Sequence, residues 1–430
     1  MILIHGELLP SEKSGDVLAS LPALLASTLT QPPPDILMVV DALDRFAARI
    51  LSGAYAEQLK KWVNAGLLTF EQIQEAAHLL KRDSLLYKLE TELGPSFVCG
   101  DAYVPNQEGG FRTERLPLGV LFHIAAGNAE ALPAYSAAEG LLAGNINLLK
   151  LPHADDGLSI ALLKELTMLE PQLAPYIYVF DTPSSDLPAM KAMASLADAV
   201  VIWGGDEAVK AVRRLAPPGV RIIEWGHRIS FAYVTSWASN EELAGLASHI
   251  FRTNQLFCSS CQGIFYDSGA VEEAEAFAAR FMPLLEEAGQ RIGFREIGLQ
   301  AQVTLRREQQ RLESLFHPAR ILWGEYCNIT VSDNHRLEPS RMFGDLWIKP
   351  LPRALLPEAL QPYRGYLQTA GLLCGKKERL SLARLLCRSG VSRVTYGEDM
   401  SRLMPGQTHD GRYPLREYSR MVEIAVESDL

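Results

Sequence analysis

The chain has 430 residues, a net charge of −10, 48% hydrophobic and 21% charged residues. That length predicts two domains, the composition is that of a globular chain, and the acidic balance argues against a general nucleic-acid binder, which needs a basic face. No apolar run has membrane-spanning length, and the start MILIHGELLPSEKSGD lacks the basic and apolar regions of a signal peptide, so a cytoplasmic protein is expected.

Residues 1–100 read as mainly helical after a short strand-like start. Apolar residues recur at three- and four-residue spacing in Ala42–Leu51, Tyr55–Ala65 and Thr69–Leu89, beyond the Pro32-Pro33-Pro34 run. From Gly119 the pattern changes. Gly119–Ala126 is an apolar run of strand length, Gly127-Asn128 a turn, Glu130–Ala143 a helix closed by Gly144-Asn145, and Ile146–Lys150 a second strand. Helix Asp156–Leu169, strand Ile177–Asp181, helix Ser185–Leu196 and strand Ala199–Trp203 follow. Gly204-Gly205 opens helix Asp206–Leu215, and Arg221–Glu224 is the next strand. Such alternation predicts an α/β fold, a doubly wound parallel sheet with helices on both faces. Ligands of these sheets bind beyond the carboxyl ends of the strands, where Asn128, Lys150, Gly204-Gly205 and Glu224 all fall.

A second α/β block begins near Ile229. It holds the strand Ile229–Ser236, the helix Glu241–Leu256, the strand Gly263–Tyr266 and the helix Ala270–Ala288. The expected division is 1–227 for a helical N-terminal region with a cofactor domain, 228–400 for a catalytic domain, and 401–430 for a C-terminal segment with an oligomerisation role.

The six cysteines, Cys99, Cys258, Cys261, Cys327, Cys374 and Cys387, are scattered and read as reduced thiols. Cys258 and Cys261 form a CxxC, but no second CxxC or His pair stands at zinc-site spacing, so no metal is expected. A thioredoxin-like pair would open a helix, and this one follows a helix. Cys258 lies in Gln255-Leu-Phe-Cys258-Ser-Ser-Cys261-Gln-Gly263, too polar for a core, and a carboxylate, Glu224, stands one βα unit upstream. That suits an exposed thiolate nucleophile served by a base; the bland alternative is a buried structural cysteine. There is no GxGxxG after a strand. Gly204-Gly205 at a helix start is either a turn or a phosphate site, and Lys150 is either a snorkelling lysine or a ribose or phosphate ligand.

From Pro117-Leu-Gly-Val through Gly127-Asn128, Gly144-Asn-Ile-Asn-Leu-Leu-Lys150, Gly204-Gly205, Glu224-Trp-Gly-His-Arg-Ile-Ser230, Gln255-Leu-Phe-Cys258, Met342-Phe-Gly344, Leu367-Gln-Thr-Ala-Gly-Leu372 and His409-Asp-Gly411, the sequence resembles the aldehyde dehydrogenase superfamily. The LQT-x-GL and HDG elements make it similar to the LuxC-type acyl-CoA reductase family within it. The resemblance implies Cys258 as the nucleophile that carries the acyl group, Asn128 in the oxyanion hole and Glu224 as general base. It further implies Lys150 at the adenosine ribose, Gly204-Gly205 under the pyrophosphate and Phe343 beside the nicotinamide ribose. Cys261 stands where many LuxC-type chains carry proline. Arg341 and His153 stand where other members of the superfamily carry ribose-binding glutamates. The absence of a glutamate at 153 leads to an expected preference for NADPH.

The implied reaction is reduction of an acyl thioester, acyl-CoA or acyl-protein, to an aldehyde, with an acyl-protein synthetase as one candidate donor and a homodimer or tetramer as the assembly. Glu224 is retained, so an aldehyde dehydrogenase working oxidatively stays open. So does a non-catalytic subunit that presents a surface to an acyl-activating partner.

Overall fold

The strand–helix alternation folds into two units, residues 1–226 with 403–430 and residues 227–402. The computed structural model describes residues 1–64, 69–94, 103–104, 110–125, 131–152, 155, 157–293, 297–316 and 320–426.

The strands of the first unit up to residue 226 are β1 (Ile2–Ile4), β2 (Glu7–Leu9), β3 (Tyr103–Val104), β4 (Gly110–Pro117), β5 (Val120–Ile124), β6 (Ile146–Lys150), β7 (Ile177–Phe180), β8 (Ala199–Trp203) and β9 (Arg221–Trp225). Seven of them form one sheet in the order β2-β1-β7-β6-β5-β8-β9. β5 to β9 pair in parallel, and β1 runs antiparallel to β7. Strands buried on both faces read as continuous apolar runs, and alternate residues feed opposite cores. Leu121, Leu149, Val179, Val201 and Ile223 fill one core; Val120, Phe122, Leu148, Tyr178, Val200 and Ile202 fill the other.

In the helical region the single helix expected over Thr69–Leu89 is two, Phe70–Leu79 and Arg82–Leu93. The break has a partner from elsewhere in the unit. Asp44, on the helix Ile36–Leu51, accepts from the Arg82 backbone N–H at 2.9 Å and pairs with Lys81 at 2.5 Å.

The second unit holds β10 (Ile229–Val234), β11 (Cys261–Tyr266), β12 (Arg320–Trp323), β13 (Asn328–Val331), β14 (Asp345–Pro350), β15 (Leu367–Leu373) and β16 (Arg393–Thr395), in the sheet order β12-β13-β14-β11-β10-β15-β16. All neighbours are parallel except β12–β13. The helix Asn240–Thr253 starts with a capping box between Ser239 and Glu242 and ends on Asn254 in the left-handed conformation, the local signals that stop a helix. The chain then delivers residues 255–260 before β11.

A further sheet belongs to the first unit. β17 (Ser419–Val426) pairs antiparallel with β4 from Ser419–Pro117 to Val426–Gly110, and β3 completes it. No described helix is long and apolar enough to cross a membrane.

Candidate active site

Cys258 lies in the second unit, half-buried, in the turn before β11. Its loop is built by backbone that only a surrounding network can hold. Asn254 and Gln255 have φ of +49° and +60°; Met342, Phe343 and Gly344 have φ of +66°, +54° and +83°. Left-handed backbone is uncommon for residues such as Gln, Met and Phe and costs on the order of 1–3 kcal/mol each. Gln255 locks the two segments together. Its side-chain amide donates to the Cys261 carbonyl at 3.1 Å and accepts from Gly344 N at 3.0 Å. Phe343 N donates to Asn254 O at 3.2 Å. Gln262 adds a second link, donating to Gln255 O at 2.8 Å and accepting from Ser340 N at 3.0 Å. The Cys258 loop and the Phe343 turn are therefore one hydrogen-bonded piece.

Ser230 fixes the other side of the loop. The β10 register shifts against both neighbours beside this residue. Its hydroxyl fills the gap in the ladder, donating to Cys258 O at 2.6 Å and accepting from Thr369 N at 3.0 Å. Thr369 is the threonine of LQT, so that motif acts on the cysteine loop through Ser230. Ser259 donates to Ser401 at 2.8 Å. Beside the cysteine, Leu256 and Phe257 are exposed at 45% and 37%.

Cys261 is a different kind of thiol. It is fully buried, and desolvation pushes its pKa up to about 12. Its backbone N–H is accepted by His249 Nε2 at 3.3 Å; burial holds that imidazole neutral, with its pKa lowered to about 3. Cys258 and Cys261 are not joined in a disulfide. Cys261→Ala is therefore expected to keep most activity and to cost about 1 kcal/mol of stability, as one-methyl-sized core deletions do. Mass mapping after iodoacetamide checks this: label on Cys261 in the native protein contradicts it.

A cavity of about 410 Å³ opens beside Ser340 and Arg341 and is also lined by Gln310, Glu313, Asp345 and Trp347. Arg341 pairs with Glu313 at 3.0 Å. Burial raises the Asp345 pKa to about 6 against the pull of Arg341 and Arg307. The Phe343 ring is mostly buried, and the Arg306 guanidinium lies 5.7 Å from its centroid. Sequence reading singled out Phe343 and Arg341. It placed Gln255 and Ser230 in motifs without giving them a role, and it missed Glu313 and Asp345, of which only Asp345, adjoining Met342-Phe-Gly344, had a local signal.

The first unit carries Lys150, Gly204, Gly205 and Glu224. Lys150 ends β6 almost fully buried, donates to Ser184 at 2.7 Å, and has its pKa lowered by desolvation. Gly205 is the N-cap of the helix Asp206–Leu215, and a Cβ there would meet nothing within 4 Å, which leaves room beside the first-turn amides. Asp206 and Glu207 in that first turn work against an anion. Glu224, on β9, is held by Arg213, whose Nε donates to Oε1 at 2.7 Å. Asn128 and His153 lie outside the described residues.

The HDG element closes the same strand ends. The His409 ring stands edge-on to Trp203 and Trp225, with centroids 5.0 Å from each. Arg412 covers the Trp225 ring at 4.4 Å and donates to the Glu224 carbonyl. Among the described residues no group of three or more His, Cys, Asp or Glu could hold a metal ion.

Comparison with solved structures defines the class. Indole-3-acetaldehyde dehydrogenase complexed with NAD+ superposes with a TM-score of 0.69 at 15% identity, over 97% of this chain and 89% of that one. The glyceraldehyde-3-phosphate dehydrogenase GapN of Methanocaldococcus jannaschii, complexed with NADP, gives 0.70 at 14% identity, over 98% and 96%. The fold is that of the aldehyde dehydrogenases. Within it, the chain belongs to the acyl-CoA reductase (LuxC) family, which it matches over residues 32–421. It is similar to the long-chain acyl-protein thioester reductase of Vibrio harveyi, 28% identical over 216 residues, or 49% of this chain and 45% of the relative. The Aliivibrio fischeri protein of the same description is 24% identical over 363 residues, 80% of this chain and 72% of the relative. The first of these matches thus spans less than half of the relative's length.

Proposed function

We propose that the protein reduces an acyl thioester, acyl-CoA or acyl-protein, to an aldehyde through a Cys258 thioester, with NADPH as reductant, in the cytoplasm. The observation that carries the reading is the contrast between two thiols three residues apart. Cys258 is half-buried on a loop locked to the Phe343 turn, while Cys261 is sealed in the core.

The Cys258 thiolate attacks the thioester carbonyl. Its sulfur–carbon bond forms, the bond to the carrier sulfur breaks, and the carrier leaves as a thiol after taking one proton. Asn128 and a backbone N–H near Cys258 hold the oxyanion. When bound, the dinucleotide supplies the hydride. Once the acyl carbon is reduced, its bond to Cys258 breaks, the aldehyde departs and the thiolate returns. Leu256 and Phe257 offer apolar surface to the acyl chain beside the thiol.

Lys150 and the Gly204-Gly205 backbone would hold the dinucleotide's ribose and pyrophosphate, and Phe343 would lie beside the nicotinamide ribose. Glu313, paired to Arg341, returns a carboxylate to the edge of the cavity where Arg341 replaces one. The test is NADPH oxidation with acyl-CoAs of increasing chain length; no oxidation with any of them, together with aldehyde oxidation by NADP+, overturns the reading.

NADPH is expected to bind more tightly than NADH, because His153 does not repel a 2′-phosphate as a glutamate would and Lys150 can pair with it. Parallel titrations check this. A tighter NADH, unchanged by His153→Glu, counts against it.

The retained Glu224 supports a second reading, an NAD(P)-dependent aldehyde dehydrogenase. A non-catalytic subunit would be marked by a Cys258 that iodoacetamide modifies only slowly.

A further inference from the structure

The helix Ile297–Phe316 is turned inside out. Its inner face is largely polar. Arg307 donates to the carbonyls of Glu325 and Tyr326, and Gln310 bonds Asn328 and Thr330. Val303 is the apolar residue buried there. The outer face carries the large apolar side chains: Ile297 is 80% exposed, Leu305 71%, Leu312 61%, Leu315 74% and Phe316 79%. At 3.6 residues per turn, Leu305, Leu312 and Phe316 fall on one stripe, with exposed Ala301 one turn earlier. A surface helix normally points such a stripe at the core. An exposed one, here broken only by Gln309, points to an interaction site.

The charges beside the stripe say what covers it. Arg306 and Glu313 flank one edge, and Glu308 and Arg311 the other. Arg306 and Glu313 are equidistant from the point between Gln309 and Gln310. Glu308 and Arg311 are equidistant from the same point. A two-fold axis there, crossing the helix, sets Arg306 against the partner's Glu313 and Glu308 against the partner's Arg311. It sets Leu305 between the partner's Leu312 and the partner's Phe316. Apolar seam and both charged edges are self-complementary in one antiparallel register, in which the partner's charges exchange with the pairs Glu308–Arg311 and Glu313–Arg341 that the chain makes by itself. The helix lacks the strongly basic polar face of a membrane-surface helix, and the chain carries −10 overall, which disfavours an anionic lipid surface.

We propose that the outer face of this helix docks antiparallel on the same helix of a second copy of the chain. The contact lies within the second unit, and its Arg306–Glu313 edge borders Phe343 and the cavity beside Arg341. Its test reads assembly, so it can fail while the enzymatic reading survives.

The experiment is sedimentation velocity on the full chain over a concentration series, with native mass spectrometry of mixtures and thermal unfolding as the folding control. Leu305→Glu with Leu312→Glu is expected to remove one step of assembly at every concentration while the chain stays folded. Glu308→Arg and Arg311→Glu, each alone, set like charges face to face and are expected to weaken association by about tenfold or more. Mixing these two variants restores opposite charges in every pair. A heterodimer should then exceed either homodimer, and the excess should fall as salt rises. An unchanged assembly state in the double leucine variant overturns the proposal. So does a statistical mixture of the charge variants, or recovery of the wild type on neutral phosphatidylcholine vesicles with no self-association.

Discussion

Cys258→Ala is expected to abolish both acyl labelling and aldehyde formation, a loss on the order of 10⁶ if it behaves as other enzymes do when the nucleophile is removed. Three of the other four described cysteines are buried and not placed to substitute. Cys261 is wholly buried with its pKa raised to about 12, and Cys327 is buried, its Sγ 2.9 Å from Glu286, which raises its pKa further. Cys374 is buried with its pKa raised to about 11. A thiol kept protonated near neutral pH does not attack a thioester at a useful rate. The measurement is rapid-quench trapping with radiolabelled acyl-CoA, followed by peptide mapping. Acyl group on Cys261, or turnover by the alanine variant within tenfold of the wild type, would falsify the assignment.

Glu224→Gln is the second large effect. In a reductase the acyl-enzyme must outlive the arrival of hydride, so a carboxylate free to activate water is a liability. Arg213 occupies Oε1, and Arg412 pins the backbone of the same residue. If Glu224 takes the Cys258 proton, its loss should slow acylation by ~10²–10⁴-fold, the usual range for a missing acid–base group. Accumulation of acyl-enzyme from aldehyde and NADP+ in this variant, with no acyl-CoA reduced by the wild type, would instead identify an oxidative dehydrogenase. Arg213→Ala supplies the complementary test. Arg213 is exposed, so the fold should lose little, as is usual for surface ion pairs. Freeing the carboxylate should raise wasteful hydrolysis of the acyl-enzyme. No rise in acid released per aldehyde formed would show that the ion pair does not restrain Glu224.

The βα alternation between residues 119 and 225 was legible because each strand is a short apolar run punctuated by glycine or by a polar turn. Ile146–Lys150, Ala199–Trp203 and Asp206–Leu215 have the bounds the sequence suggests. The break near Lys81 was not legible. Neither proline nor glycine marks it, and its partner Asp44 comes from another helix. The candidate site divides the same way. Cys258 and Phe343 stand out by their neighbours in sequence. The residues that hold them, Gln255 against Gly344 and Ser230 against Thr369, act across 89 and 139 positions of chain. A hydrogen bond of that reach leaves no periodicity, so Gln255 and Ser230 stood in quoted motifs with no sign of what they bind. Arg213 is hidden for a related reason, because a single arginine on an exposed helix face carries no sign of its partner.

The long-range pairing of β17 with β4 also sets an order of events during synthesis. Residues 227–402 form one continuous stretch, so that unit has all its strands before translation reaches its last turns. The first unit is interrupted and waits. β4 meets its partner only after about 300 further residues have been made. Until then Glu92, buried beside Lys88 and Glu139, lacks the Leu415 N–H that donates to its second carboxylate oxygen at 2.8 Å. A buried carboxylate short of a donor is a weak point in a half-made core. On the ribosome the unit begun first is therefore the one completed last, and a ribosome stalled before residue 415 holds a finished second unit and an unsealed first one.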